Sequence, residues 1–97
     1  MKVFWTDTAV KHLSAIYIYI VQNSPQYATR MIDRLTRRSQ QIASFPLSGR
    51  VVSEFETKQI REVIEGSYRI IYYIKPDQID ILAVLHSSQQ IMQSEEK

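Results

Sequence analysis

The sequence predicts an α+β fold: a short N-terminal strand and a helical hairpin packed on a small antiparallel sheet. Three observations carry that expectation. Apolar residues recur at helical spacing twice in the first half of the chain. The second half consists of short runs of branched and aromatic residues broken by turn signals. The 97 residues are 44% hydrophobic and include no cysteine, enough for one modest core without disulfides. Residues 1–97 therefore read as a single domain with a polar tail over 87–97.

Lys2 to Trp5 is a short, β-prone start. Thr6, Asp7 or Thr8 can cap the helix that follows, because their side-chain oxygens accept the unpaired N–H groups of a first turn. Ala9, Leu13, Ile16, Tyr17 and Ile20 then share one helical face. The stretch Ile16-Tyr17-Ile18-Tyr19-Ile20 also alternates like a strand and is rich in β-branched residues. Helix is preferred because the wider pattern from Ala9 keeps the 3.6-residue period. That choice leaves Ile18 off the core face, where a partner can cover it. Ser24 is an N-cap and Pro25 suits the first helical position, which needs no N–H. Ala28, Met31, Ile32, Leu35 and Ile42 form a second stripe, so the two helices should pair as a hairpin. Phe45-Pro46-Leu47-Ser48-Gly49 ends it.

Strands are expected at Arg50 to Ser53, Ile60 to Glu65, Tyr68 to Lys75 and Ile79 to His86, the last being the most apolar and therefore interior. Gly66-Ser67 makes a two-residue hairpin turn, and Pro76-Asp77-Gln78 makes the next turn. A two-residue turn sets Glu65 opposite Tyr68, Ile64 opposite Arg69, Glu62 opposite Ile71 and Ile60 opposite Tyr73. Opposed residues share a sheet face. Arg69 should thus lie with Ile60, Glu62 and Ile64, while Ile70, Tyr72 and Ile74 face the other way.

Several functional classes are excluded. Asp7 interrupts the N-terminal apolar run too early for a signal peptide, and Ile16 to Val21 is too short to cross a bilayer, so no membrane role and a cytoplasmic location are expected. With only Gly49 and Gly66 there is no glycine-rich phosphate loop. Asp77 and Asp80 have no ligand cluster around them, so neither metal nor other cofactor is expected. The net charge is only +2, but Arg30, Arg34, Arg37 and Arg38 crowd one segment with Asp33 alone against them. That cluster is either a solvated helix face or a surface for an acidic partner. His12 falls off the apolar stripe and reads as solvated.

The order of elements, with Pro46-Leu47-Ser48-Gly49-Arg50-Val51-Val52-Ser53-Glu54, Ile60-Arg61-Glu62-Val63 and Tyr68-Arg69-Ile70-Ile71-Tyr72, resembles the RelE/ParE toxins of bacterial toxin–antitoxin systems. The resemblance runs from the first strand to about His86. RelE-like members cleave mRNA on the ribosome; ParE-like members are associated with inhibition of DNA gyrase. In RelE-like enzymes the positions matching Ile60 and Glu62 carry lysines beside an arginine at the position of Arg69, and these cations would meet the charge that develops on a scissile phosphate. Here only the arginine remains, beside an acid. The basic run and late tyrosine after the last strand are also missing; the chain has His86-Ser87-Ser88-Gln89-Gln90 and then Gln93.

Those departures favour a ParE-like toxin that binds DNA gyrase and is neutralised by a cognate antitoxin lying across the sheet and helical hairpin. Its contact residues would be Ile18, Arg30, Arg34, Arg37, Arg38, Arg61 and Arg69, with no catalytic residue. Arg69 has a plainer reading as a structural partner of Glu62 or Glu54, and His86 as a strand-end residue. The alternative is a ribosome-dependent mRNA endonuclease, partnered by ribosome and mRNA. There Arg69 would stabilise the phosphate and His86 with Glu54 or Glu62 would move protons. A third reading is a degenerate member that still binds antitoxin without toxicity.

Overall fold

Each helix begins where a side-chain cap was expected. In the computed structural model, which describes residues 1–88, strand β1 (Lys2–Trp5) runs into α1 (Asp7–Val21). Thr6 is extended, and its hydroxyl accepts the Ala9 N–H at 3.2 Å. The chain reverses over Gln22 to Ser24, where the Asn23 and Ser24 N–H groups both donate to Ile20 O at 3.0 Å. Ser24 Oγ caps α2 (Pro25–Ser44) by accepting the Tyr27 N–H at 3.1 Å. The alternating Ile16 to Ile20 stretch is helical throughout, so the longer 3.6-residue pattern outweighs local β-propensity. The second half adds a single 3-10 turn (Pro46–Ser48), then β2 (Arg50–Val51), β3 (Ile60–Glu65), β4 (Tyr68–Ile74) and β5 (Gln78–His86).

The five strands form one sheet in the order β1-β5-β4-β3-β2. Strands β2 to β5 are antiparallel neighbours as expected, and β5 is interior. Strand β1 is the exception to an all-antiparallel sheet, since it pairs in parallel with β5. Parallel neighbours need a long crossover, and everything from α1 through β4 serves as one. Strand β2 is shorter than the expected Arg50 to Ser53. Val52 N–H still reaches Ile60 O, but Phe55 N–H then bonds Val52 O and turns the chain away.

The β3–β4 register is the one predicted, with Glu65 opposite Tyr68, Ile64 opposite Arg69, Glu62 opposite Ile71 and Ile60 opposite Tyr73. Gly66 supplies a φ of 61° in the turn, a conformation that costs most residues a Cβ clash. One irregularity sits in the next pair. Tyr72 faces Ile81 but Ile71 faces Ala83, so Leu82 is an extra residue in β5.

Ile70, Tyr72 and Ile74 face the helices with Ile79, Ile81 and Val84, and pack against Ile16, Ile20, Met31, Leu35 and Ile42. Tyr17, expected on the core face of α1, is exposed instead. The buried line of that helix runs through Ala9, Ile16 and Ile20, and Tyr17 is rotated off it toward Ile32. His12, expected to be solvated, is structural. Strand β1 stops at Trp5 opposite Ile81, which leaves the outer edge of β5 without a strand partner. Thr6 Oγ1 donates to Ile81 O at 2.7 Å, and His12 Nδ1 accepts the Val84 N–H at 3.1 Å. Thr6 and the first turns of α1 thereby supply hydrogen-bond partners to that edge.

Candidate functional site

Three surfaces concentrate the chemistry. The first is the sheet face turned away from the helices. Arg50 on β2 stands opposite Glu62 on β3, and Arg69 lies diagonally across on β4, beside the Glu62–Ile71 pair. Arg50 Nε is 2.6 Å from Glu62 Oε2, and Arg69 Nη1 is 3.3 Å from Glu62 Oε1. The Glu62 side chain is 5% exposed and that of Arg69 12%. The Arg69 contact is an ion pair by distance without hydrogen-bond geometry. Glu62 Oε1 and Arg69 Nε and Nη2 are all buried and hydrogen-bonded to nothing. A cleft of about 320 Å³ opens over this group, rimmed by Val51 to Glu54. Arg69 is therefore paired with Glu62, the plainer of its two sequence readings. Arg50 is a partner that sequence reasoning missed.

The corner leading into β2 positions the backbone of Arg50, whose side chain is 70% exposed. The buried Tyr72 hydroxyl donates to Pro46 O at 2.6 Å and accepts the Gly49 N–H at 3.0 Å. Burial of the phenol is the main reason its pKa is raised above 10.0. A Cβ on Gly49 would stand 2.5 Å from that hydroxyl and 2.7 Å from Glu62 O, so space rather than backbone angle demands glycine. Arg61, a candidate partner contact, donates to Gly49 O at 2.9 Å, Leu47 O at 3.4 Å and Lys58 O at 3.1 Å. Its guanidinium holds the corner together. Phe45 and Leu47, on the same corner, are among the most exposed large apolar residues.

The second surface is α2. Arg34 Nε and Nη2 donate to Glu65 Oε2 at 3.0 and 2.8 Å, and Arg38 Nε lies 3.5 Å from Glu65 Oε1. Arg37 pairs with Asp33 one turn away. Arg30 is exposed. Glu65 thus joins Asp33 in balancing the cluster, reaching it from the end of β3. The exposed Arg37–Asp33 pair contributes only about 0–1 kcal/mol.

The third surface is α1, with an apolar groove on each side. Ile18, 59% exposed, lines a groove of about 300 Å³ with Val10, Leu13, Tyr17 and Ile32. The other groove, of about 540 Å³, is lined by His12, Ile16, Tyr19, Tyr27, Tyr68 and His86 among others. Burial, then the neighbouring Tyr27 and Tyr19, raise the pKa of Tyr68. Nothing in the periodicity of the sequence announced this second groove, because it joins α1 to the far ends of β4 and β5.

Of the four residues of the nuclease alternative, Arg69, Glu62 and Glu54 line one cleft, and His86 does not join them. His86 is opposite Tyr68, whose ring it meets edge-on at 5.7 Å between centroids. Tyr68 packs on the helix-facing core. Arg69, one residue on, faces the opposite side with Glu62, and Glu54 lies on the rim of that opposite cleft. The Leu82 bulge is responsible. Counted straight from the β4–β5 turn, His86 would pair with Ser67 and share the face of Arg69. One extra residue in β5 sends it to the other face. Among the described residues no group of three His, Cys, Asp or Glu side chains could hold a metal ion, and no helix is long and apolar enough to cross a membrane.

The structure is thus a helical hairpin on a mixed sheet, carrying an arginine patch and two apolar grooves. Residues 3–91 match the family described as ParE toxin of the type II toxin–antitoxin system parDE, and the chain belongs to that family. It is 35% identical over 88 residues to Toxin RelE2 of Caulobacter vibrioides, covering 90% of this chain and 96% of that protein. It is 33% identical over 91 residues to Putative toxin Y4kP of Sinorhizobium fredii, covering 92% and 91% respectively. Among solved structures, the chromosomal ParDE toxin–antitoxin system from P. aeruginosa superposes with a TM-score of 0.72 over 89% of this chain and 95% of that one. At 22% identity that likeness speaks to the fold.

Proposed function

We propose that this toxin acts by binding DNA gyrase in the cytoplasm, without chemistry of its own, and is held inactive by a cognate antitoxin. The observation that carries the reading is the division of the nuclease set between two sheet faces, with a buried carboxylate where a phosphate-binding cation would be needed. Cleaving an RNA phosphodiester develops negative charge, and loss of one preorganised donor costs about 3–4 kcal/mol of transition-state stabilisation. Glu62 pairs with Arg69 instead of supplementing it, and His86 opens into the other groove.

The antitoxin would lay an apolar segment in the Ile18 groove and present carboxylates to Arg30, Arg37 and the neighbouring arginines of α2. This uses the exposed apolar side of α1 and the basic face of α2. The relative named Toxin RelE2 supports a second reading, ribosome-dependent mRNA cleavage centred on Arg69.

Expression of the chain in cells separates the two. Gyrase poisoning induces DNA-damage signalling with intact mRNA. Ribosomal cleavage produces truncated mRNA without a DNA-damage response, and that result would replace the first reading with the second.

A further inference from the structure

We propose that Phe45, Leu47, Val51 and Arg61 form one surface by which this toxin holds its target protein, and that the target meets it with an apolar cleft edged by a carboxylate. The backbone is the starting point. Every residue of the corner from Phe45 to Gly49 has a main-chain group tied down. Phe45 N–H donates to Gln41 O and Ile42 O, and Ser48 N–H donates to Phe45 O at 3.0 Å. Pro46 O accepts from the Tyr72 hydroxyl, and Leu47 O and Gly49 O accept from Arg61 Nη1. A corner held in this way fixes the direction of its side chains, and it turns two large apolar ones outward. Phe45 and Leu47 are 69% and 70% exposed and take no part in the core. Single surface apolars are ordinary. A group of them on fixed backbone has the form of a binding site, because the cost of ordering the loop is met before a partner arrives.

Val51 and Arg61 extend the group. They stand opposite each other on β2 and β3, so their side chains share a sheet face, and Val51 is also exposed. Arg61 brings a charge that the fold leaves uncompensated. Its Nε and Nη1 donate to carbonyl oxygens alone, and among the described residues no carboxylate pairs with it. Glu62, the next residue along, faces the other side of the sheet with Arg50 and Arg69. An arginine flanked by aromatic and aliphatic side chains has the composition of a protein–protein hot spot. Its complement is apolar surface with a carboxylate beside it. A phosphate backbone would answer the charge and offer nothing to Phe45 and Leu47. The surface is also separate from the groove proposed for the antitoxin. Ile32 lines that groove, and Phe45 lies thirteen residues further on, about 20 Å along the axis of α2 at 1.5 Å per residue. The inference rests on the reading of a toxin that acts by binding a protein.

The test uses the full chain carrying Phe45→Ser/Leu47→Ser and, separately, Leu47→Glu, which sets a like charge against the target's carboxylate. Both changes fall on exposed side chains, so circular dichroism should show an unchanged Tm, and affinity for the cognate antitoxin should stay within ~3-fold of the wild type. Inhibition of purified gyrase should need at least ~30-fold more of either variant, and neither should arrest growth when expressed. Growth arrest reports on the target whatever its identity, which keeps the two readings apart. Arrest by the wild type that is lost in both variants, with gyrase unaffected throughout, would support this surface and remove the gyrase reading. Gyrase inhibited equally by wild type and variants would overturn the surface and keep that reading. Variants that arrest growth like the wild type would overturn it as well. So would a loss of antitoxin affinity as large as the loss of gyrase inhibition, which would make the corner part of the antitoxin's footprint.

Discussion

Replacing Tyr72 with phenylalanine removes one oxygen atom and tests whether the corner before β2 is held as described. The ring stays in the core, so the apolar burial is kept. What is lost is the hydroxyl that donates to Pro46 O at 2.6 Å and accepts from Gly49 N–H at 3.0 Å. The Gly49 N–H is then left buried without a partner, at a cost of about 1–3 kcal/mol, and the part-buried Pro46 O loses a hydrogen bond worth about 0.5–1.5 kcal/mol. Together the loss should be roughly 2–4 kcal/mol, a large part of the 5–15 kcal/mol that holds a typical domain folded. For a chain of this size that lowers Tm by about 10–25 °C. Urea unfolding followed by circular dichroism should show a lower midpoint with an unchanged slope. A loss below about 0.5 kcal/mol would refute the reasoning, because it would mean that water or a shifted loop satisfies both groups at no cost. A companion variant sharpens the test. Gly49→Ala should remain destabilising even in the Tyr72→Phe background, since the added Cβ still meets Glu62 O at 2.7 Å.

Three further outcomes are expected. His12→Ala should destabilise the protein by about 1–3 kcal/mol and speed hydrogen exchange at the Val84 amide, because that buried N–H loses its acceptor; unchanged exchange would remove His12 from the β5 edge. The Asp80 carboxyl is held below its ordinary value, chiefly by the hydrogen bond from Lys75 Nζ at 2.8 Å. Its contribution to stability is thus present above the unfolded pKa of 3.8 and is lost as pH falls through the lower folded value; an acid unfolding profile identical in Asp80→Asn would contradict this. Ile18→Lys should leave Tm unchanged, since the side chain is exposed, while weakening antitoxin binding by roughly 10–100-fold in calorimetry; full affinity would move the antitoxin off this groove.

The sequence was most legible where a short, stereochemically demanding signal set the geometry. Gly66-Ser67 admits one register, so the facing of Arg69 and Glu62 followed from counting alone. Ser24-Pro25 and Thr6 did the same for the helix starts. Long-range pairings were not legible in that way. Arg50 meets Glu62 only because the chain between Val52 and Gln59 closes back on itself, and no period in the sequence encodes that closure. Glu65 reaches Arg34 across 31 residues, so the arginine cluster of α2 looked less balanced than it is. His12 became structural because β1 is short, a property of where two strands end relative to each other. The Leu82 bulge leaves no mark in an apolar strand, yet it decides which face carries His86. The tail from residue 89 onward lies outside the described residues.

Binding of a protein target without cutting of RNA, as proposed above, can be tested in one paired experiment. Purified toxin should be added in parallel to gyrase with plasmid DNA and to programmed ribosomes, with mRNA ends mapped. The expected result is inhibited supercoiling or gyrase trapped on DNA, together with no new mRNA ends. Codon-positioned mRNA cuts that disappear in Arg69→Ala, with gyrase unaffected, would contradict it.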